Sequence, residues 1–177
     1  ARDLLLIRMP ANQVMVAVAA DTAFFRLRGQ ATAAQSTGFK TAAETLRSQG
    51  LSSFVIDLTE CQSMDSTFIG VLVGLSRRLR RDRGQPGPIE LVNTTPQVRR
   101  QLDDLFVLDH FTLTECQLEP GAAFEPVQAG PPNKSQLCRL MIEAHQALMD
   151  VHAANVPKFK QVSEFLEQDL RRLNGQG

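Results

Sequence analysis

The spacing of hydrophobic residues changes several times along the chain, and each change marks an element. Val14, Val16 and Val18 alternate with Met15 and Ala17, the period of a half-buried strand. Asp21-Thr22 reads as a turn, and residues 24–28 as the returning strand, with Phe25 and Leu27 on one face and Gly29 at its end. The period then lengthens. Over residues 32–48, Phe39, Ala42, Ala43 and Leu46 recur at helical spacing, and Gly50 is a stop signal. Residues 54–58, Phe-Val-Ile-Asp-Leu, are apolar at nearly every position, as in a central strand covered on both faces.

A second helix is expected over 66–81, where Phe68, Leu72, Leu75 and Leu79 form one stripe. Its end carries Arg77, Arg78, Arg80, Arg81 and Arg83, positive charge that complements a helix C-terminus. No aromatic residues interleave the arginines to stack on bases, so they read as a solvated helix end and not as a nucleic-acid site. Residues 84–88 form a loop and 89–92 a strand. Pro96 sits in the first turn of a helix carrying Val98, Leu102 and Leu105. Phe111 and Leu113 mark a last short strand. The order is ββαβαβαβ, an α/β domain with a mixed central sheet over residues 1–118.

Pro120, Pro126, Gly130, Pro131 and Pro132 punctuate a linker over 119–132. Beyond it, over 133–177, Leu137, Met141, Ala144, Leu148 and Val151 repeat at helical steps, and Phe159, Val162, Leu166 and Leu173 continue the stripe. Asn155-Val156-Pro157 interrupts it, with Asn155 as an N-cap and Pro157 near a new helix start. This predicts a two-helix extension whose apolar stripe buries against its own other half, the α/β domain, or a second copy in a homodimer. The run is too short and broken for a long coiled coil.

The 177 residues suffice for one core and an appendage, and 43% apolar content is ordinary for a globular chain. Lys+Arg and Asp+Glu balance at 19 each, which removes any global charge reason to expect nucleic acid or an anionic membrane. No apolar run nears the ~20 residues of a membrane span, so no membrane insertion is expected. The opening run at 1–7 is too short for a secretion signal. Cys61, Cys116 and Cys138 are scattered and odd in number, which fits a reducing, cytoplasmic setting.

No constellation for catalysis stands out, and the chain reads as non-enzymatic. Walker and dinucleotide glycine loops are absent from the sequence. His110, His145 and His152 make no metal motif; the last two could share a helix face two turns apart, too far for paired zinc ligation. Neither a metal nor any other cofactor is implied. Cys61 is placed in a loop before Ser66, partly exposed, with no neighbour to activate it. Asp65-Ser66-Thr67 has the form of any helix start, Asp and Ser ahead of an apolar run. It also follows a central strand, at the edge where functional loops of open α/β sheets gather. Asp57-Leu58-Thr59 and Asn93-Thr94-Thr95 are expected on that same edge, placing Ser66 on an exposed polar shelf.

Val55-Ile56-Asp57-Leu58-Thr59, then Met64-Asp65-Ser66-Thr67 and Gly70-Val71-Leu72, resembles the signature of the STAS family of the anti-sigma-factor antagonist type. The resemblance covers about residues 14–116 in element order and leaves the extension outside. It implies phosphorylation at Ser66, with Asp57, Thr59, Asp65, Thr67 and Phe68 at the partner-binding surface. It further implies partner switching: the unmodified domain binds an anti-sigma-factor serine kinase, phosphorylation breaks that complex, and a metal-dependent serine phosphatase resets it, so that transcription is controlled. The family's Gly-Leu-Gly stands here as Phe68-Ile69-Gly70, so a large ring either enters the core or reshapes that surface. Two other readings remain: a STAS docking subunit of a transporter or lipid-transport complex, unphosphorylated, and an enzyme using Ser66 as nucleophile. The latter needs a distant His folded into reach, because the local sequence supplies no base.

Overall fold

The structure is a computed structural model and describes residues 11–84 and 89–175. The opening run at 1–7 and most of the expected loop, residues 85–88, lie outside the described residues.

β1 (Gln13–Ala19) and β2 (Thr22–Ala31) form an antiparallel hairpin turning at Ala20-Asp21, one residue earlier than the sequence suggests. α1 (Ala33–Ser48) starts at Thr32, which shares a capping box with Gln35. β3 (Ser53–Met64) lies parallel to β2, and α2 (Ser66–Arg83) follows it. β4 (Ile89–Val92), α3 (Pro96–Asp104) and β5 (Thr112–Thr114) complete the α/β body. The sheet order is β5-β4-β3-β2-β1-β6, parallel from β2 to β5 and antiparallel at β1 and β6, a mixed sheet as expected.

Two strands outrun their predicted ends. Gly29 does not end β2; at φ 71° it sits beside register shifts that let β2 continue to Ala31. β3 likewise runs on to Met64. Cys61 therefore lies in the strand, 1% exposed, with its thiol pushed up to about 11 by burial, and not in an exposed loop. Apolar alternation could not reveal this, because Thr59, Glu60 and Gln62 are polar and exposed at the strand's far end.

The core joins the sheet (Phe25, Leu27, Ile56, Leu58) to α1 (Phe39, Ala43) and α2 (Phe68, Leu72, Leu75, Leu79). The expected linker contributes β6 (Glu125–Pro126), which pairs with Met15 and Val16, and Val127 donates its N–H to the Val14 carbonyl. α4 (Lys134–Val151) then packs on α2, and α5 (Val156–Gly175) on α4. Leu140, Ala144, Leu148 and Phe159 join the body's own core, so the α4 stripe is covered within the chain.

Asn155 does not cap α5 with its side chain as expected. It is wholly buried, and its Nδ2 donates to the Leu148 and Leu105 carbonyls, pinning the α4–α5 corner to the end of α3. The arginine-rich end of α2 lies at the surface, as expected, and makes exposed contacts there. Arg77 pairs with Asp150 of α4 at 3.3 Å, and Arg80 donates to the Asp109 carbonyl at 2.8 Å.

Candidate functional site

The motif residues fall into two groups, not one shelf. The first lies at the middle of β3. The Asp57 carboxylate, 3% exposed, accepts from Arg26 Nε (2.8 Å), the Thr59 hydroxyl (2.6 Å) and the Thr59 N–H (3.0 Å). Burial pushes the carboxyl up, but these donors outweigh it and hold the group below its usual value. Exposed Thr59 accepts from Asn93 Nδ2 (2.9 Å), which also donates to the Cys116 carbonyl. Asn93, at φ 56°, thus ties the ends of β4 and β5 to the middle of β3. Beside it runs a groove of about 320 Å³ lined by Arg26, Asp57, Thr59, Asn93 and Cys116.

From Asp57, β3 continues at roughly 3.3 Å per residue before reaching Asp65. Ser66 is thereby carried away from the Asp57–Asn93 shelf on which it was expected. Asp65, not Ser66, is the N-cap of α2: its Oδ1 accepts from the Phe68 N–H and its Oδ2 from the Ala33 N–H, both at 2.8 Å. One carboxylate so caps two helices, α1 and α2, with the charge at their positive ends. Its own N–H donates to the Ala31 carbonyl, fixing the joint to the end of β2.

Ser66 is the first residue of α2, half-buried, and its Oγ stands 3.1 Å from His145 Nε2 of α4. The ring of His145 is stacked on Phe159 of α5, with centroids 4.8 Å apart. The residue is 3% exposed, and its Nδ1 is buried without a partner. Burial holds the imidazole below its ordinary value, while Asp65 pulls the other way. An orphaned buried N–H is rarer and costlier than an orphaned lone pair. The tautomer that avoids an orphaned N–H carries its proton on Nε2 and donates to Ser66 Oγ. That is the reverse of an activated serine, whose hydroxyl donates to a basic nitrogen.

Phe68, expected at the partner surface, is instead wholly buried, its ring 5.1 Å from that of Phe39. The reason is helical phase. Phe68 shares its side of α2 with Leu72, Leu75 and Leu79, while Ser66, Gly70 and Gly74 recur every fourth residue on the other. Thr67 is likewise buried, 2% exposed. Of the residues expected to meet a partner, Thr59 is exposed and Asp65 half-exposed; Asp57, Thr67 and Phe68 shape the site from beneath.

Gly70 explains how His145 reaches Ser66. A Cβ at Gly70 would fall 2.3 Å from the Ala144 carbonyl oxygen, so α4 lies directly against the backbone of α2. Gly70 is four residues from Ser66 and Ala144 is next to His145, so this close crossing sets the imidazole over the first turn. The sequence required a distant His within reach for Ser66 to act as a nucleophile without saying which of the three it would be; His145 is the one the fold brings there. The Gly-x-x-x-Gly spacing Gly70–Gly74 was the available signal, pointing to a close helix approach without naming the partner helix. His152 does not share a site with it. It stacks on Phe106 at 3.9 Å, and its Nδ1 accepts from the Ala154 N–H. Among the described residues, no cluster of metal-ligating side chains occurs and no helix is long and apolar enough to cross a membrane.

A family model for the STAS domain matches residues 13–119, from β1 to just past β5. The chain belongs to the STAS domain family, and α4 and α5 lie outside the matched region. The fold is similar to the NMR structure of the protein TM1081, at 17% identity over 56% of this chain and 78% of that one, with a TM-score of 0.50. The crystal structure of the same TM1081, from Thermotoga maritima and described as a candidate anti-sigma factor antagonist, is similar as well (19% identity, 58% and 86% covered, TM-score 0.49). The unphosphorylated anti-sigma factor antagonist SpoIIAA matches at 18% identity, over 60% and 89% of the two chains, with a TM-score of 0.47. No curated protein matches the chain.

Proposed function

We propose that this protein is a non-enzymatic, cytoplasmic STAS regulator of the anti-sigma-factor antagonist type, with Ser66 as its reversible phosphorylation site. Its partners are an anti-sigma-factor serine kinase and a serine phosphatase, and its output is control of transcription by partner switching. The reading is carried by one observation: Ser66 opens α2 directly after an aspartate whose two carboxylate oxygens each cap a helix. A hydroxyl there can be modified without disturbing the cap, and first-turn N–H groups and the helix dipole tolerate the roughly −1.5 to −2 charges of a phosphate. The α/β body therefore stays folded, while the surface around Ser66 gains negative charge. Thr59 and Asp65 are the residues of the motif placed to touch a partner; Asp57, Thr67 and Phe68 hold them in position.

Phosphosite mapping on the protein from its host, in growth and in stress, tests this reading. Phosphate on Ser66 whose occupancy changes with condition is expected. Binding to the host's anti-sigma-factor serine kinase should be weakened in Ser66→Asp and persistent in Ser66→Ala. An unmodified Ser66 in both conditions with full peptide coverage, and equal binding of the two variants, would point to an unphosphorylated docking subunit instead.

A further inference from the structure

α4 and α5 lie outside the family-matched region, yet they place a side chain against the hydroxyl at the head of α2. Three features of that junction decide what a phosphate on Ser66 does. The first is space. His145 Nε2 already stands at hydrogen-bond distance from Oγ, and the ring cannot swing aside freely because Phe159 stacks on it. The second is charge. The imidazole is buried with Nδ1 unpartnered, so a second ring proton would have no acceptor, and His145 is poorly placed to become the cation a dianion wants. Asp65, the charged group acting on it, favours the cation but is outweighed by burial, and its own negative charge repels a phosphate. The third is rigidity. α4 sits on the bare backbone of Gly70, with the Ala144 carbonyl where a Cβ would be, so a shift of α4 opens a gap along a close-packed seam.

We propose that His145 is a latch that senses the modification state of Ser66. With a free hydroxyl, Nε2–H donates to Oγ and α4–α5 is held shut over α2. With a phosphate, three further oxygens must fit where Nε2 already stands at hydrogen-bond distance under a ring held by Phe159, beside the Asp65 carboxylate, and the α4–α5 pair opens more often. The body does not loosen with it, because the helix N-terminus accepts the charge on its own side. The bias is a differential one, set by what the phosphate does to the closed seat and not to the open one. Opening need not be complete. Asn155, Lys158 and Arg77 still tie the pair to the body through Leu105, Asp104 and Asp150. The latch rests on Ser66 being the modified residue, but placing the phosphate directly separates the two claims: host phosphorylation can fail while the latch works, and the reverse.

The test is hydrogen–deuterium exchange on the full chain with phosphoserine installed at position 66 during synthesis, compared with the unmodified chain. Amides of α4 and α5 should exchange faster by about tenfold, the factor expected for losing one buried hydrogen bond, with β2–β4 unchanged. In a His145→Ala background, which leaves room for the phosphate, the effect should shrink to within about twofold. Unchanged or slower exchange in α4–α5 would overturn the latch, as would equal acceleration throughout the sheet or an undiminished effect in His145→Ala. A measurement on the wild-type chain guards against misfolding of that variant. Imidazole nitrogen-15 shifts should show His145 with its proton on Nε2 when Ser66 is unmodified, and a proton on Nδ1 would overturn the latch independently.

Discussion

The two sides of α2 obey different rules. Toward the sheet the helix presents Phe68, Leu72, Leu75 and Leu79, all wholly or nearly wholly buried in a core shared with α1. At the closest approach to α4 it presents Ser66, Gly70 and Gly74, with no side chain beyond a hydroxymethyl. The first side holds by bulk, and its energy is apolar area removed from water. The second holds by nearness: the small residues let two backbones touch, with Ser66 to His145 as the buried polar contact at one end of the seam and the exposed Arg77–Asp150 pair at the other. The first side builds a domain that persists. The second builds a contact that one added group can disturb.

The largest test of this contrast is Phe68→Ala. The ring fills space between Phe39 and the sheet, so truncation should cost about 3–5 kcal/mol in urea unfolding of the whole chain. A loss below 1 kcal/mol would put Phe68 back at a surface and erase the difference between the two sides. Asp65→Ala acts where both sides begin. Two backbone N–H groups, one on each of α1 and α2, lose a charged acceptor, and about 2–3 kcal/mol should be lost in the same experiment. Asp65→Asn, which keeps one acceptor oxygen, should recover part of it.

The sheet-facing side was legible in the sequence because large apolar residues at helical spacing are themselves the signal. The order of elements along the body, its three helices and the two-helix extension followed from the same periodicity. Where the pattern was silent, the expectations drifted. β3 ends in polar residues that show no apolar alternation, so its last residues, Cys61 among them, read as loop. β6 is a two-residue strand inside a proline-rich stretch that carries no strand pattern at all. The Ser66–Gly70–Gly74 side was the least legible. Small residues have no hydrophobic signature, and the helix that covers them comes some seventy residues later in the chain. For the same reason the sequence could place Ser66 at the start of a helix and yet set it on an exposed shelf with Asp57 and Asn93.

Gly70→Ala probes the second side directly. Within α2 the change is favourable by about 1 kcal/mol, because Ala is the better helix former. Against α4 the methyl meets a backbone carbonyl that no rotamer change can move, a cost of about 1–3 kcal/mol. The expected result is a small net loss in global stability but markedly weaker protection of α4 amides, a split between global and local readouts that Phe68→Ala should not show. Equal loss of protection in α4 and in the sheet would mean that the two sides of α2 are one cooperative unit.

The smallest effect is a pH dependence, and it locates the polar end of the seam. Burial depresses the folded-state value of His145 below its ordinary 6.5. The unfolded chain therefore binds a proton more readily, and folding stability rises with pH wherever the two states differ in protonation. The His145 contribution is complete above the unfolded value. It begins to erode as pH falls through about 6.5 and continues to do so until the folded form also protonates. His110 works in the same direction, held down by burial and by Arg80 and Arg77 against the pull of Asp109, so the slope of the wild-type chain mixes the two. His145→Gln keeps an N–H donor for Ser66 and removes the titration. Comparing urea midpoints at pH 7.5 and 5.5, this variant should lose less stability on acidification than the wild type, and the difference should appear most strongly in the protection of α4. An identical pH slope in the two proteins would mean that His145 is as readily protonated folded as unfolded, which a ring buried between Ser66 and Phe159 with an unpartnered Nδ1 does not allow.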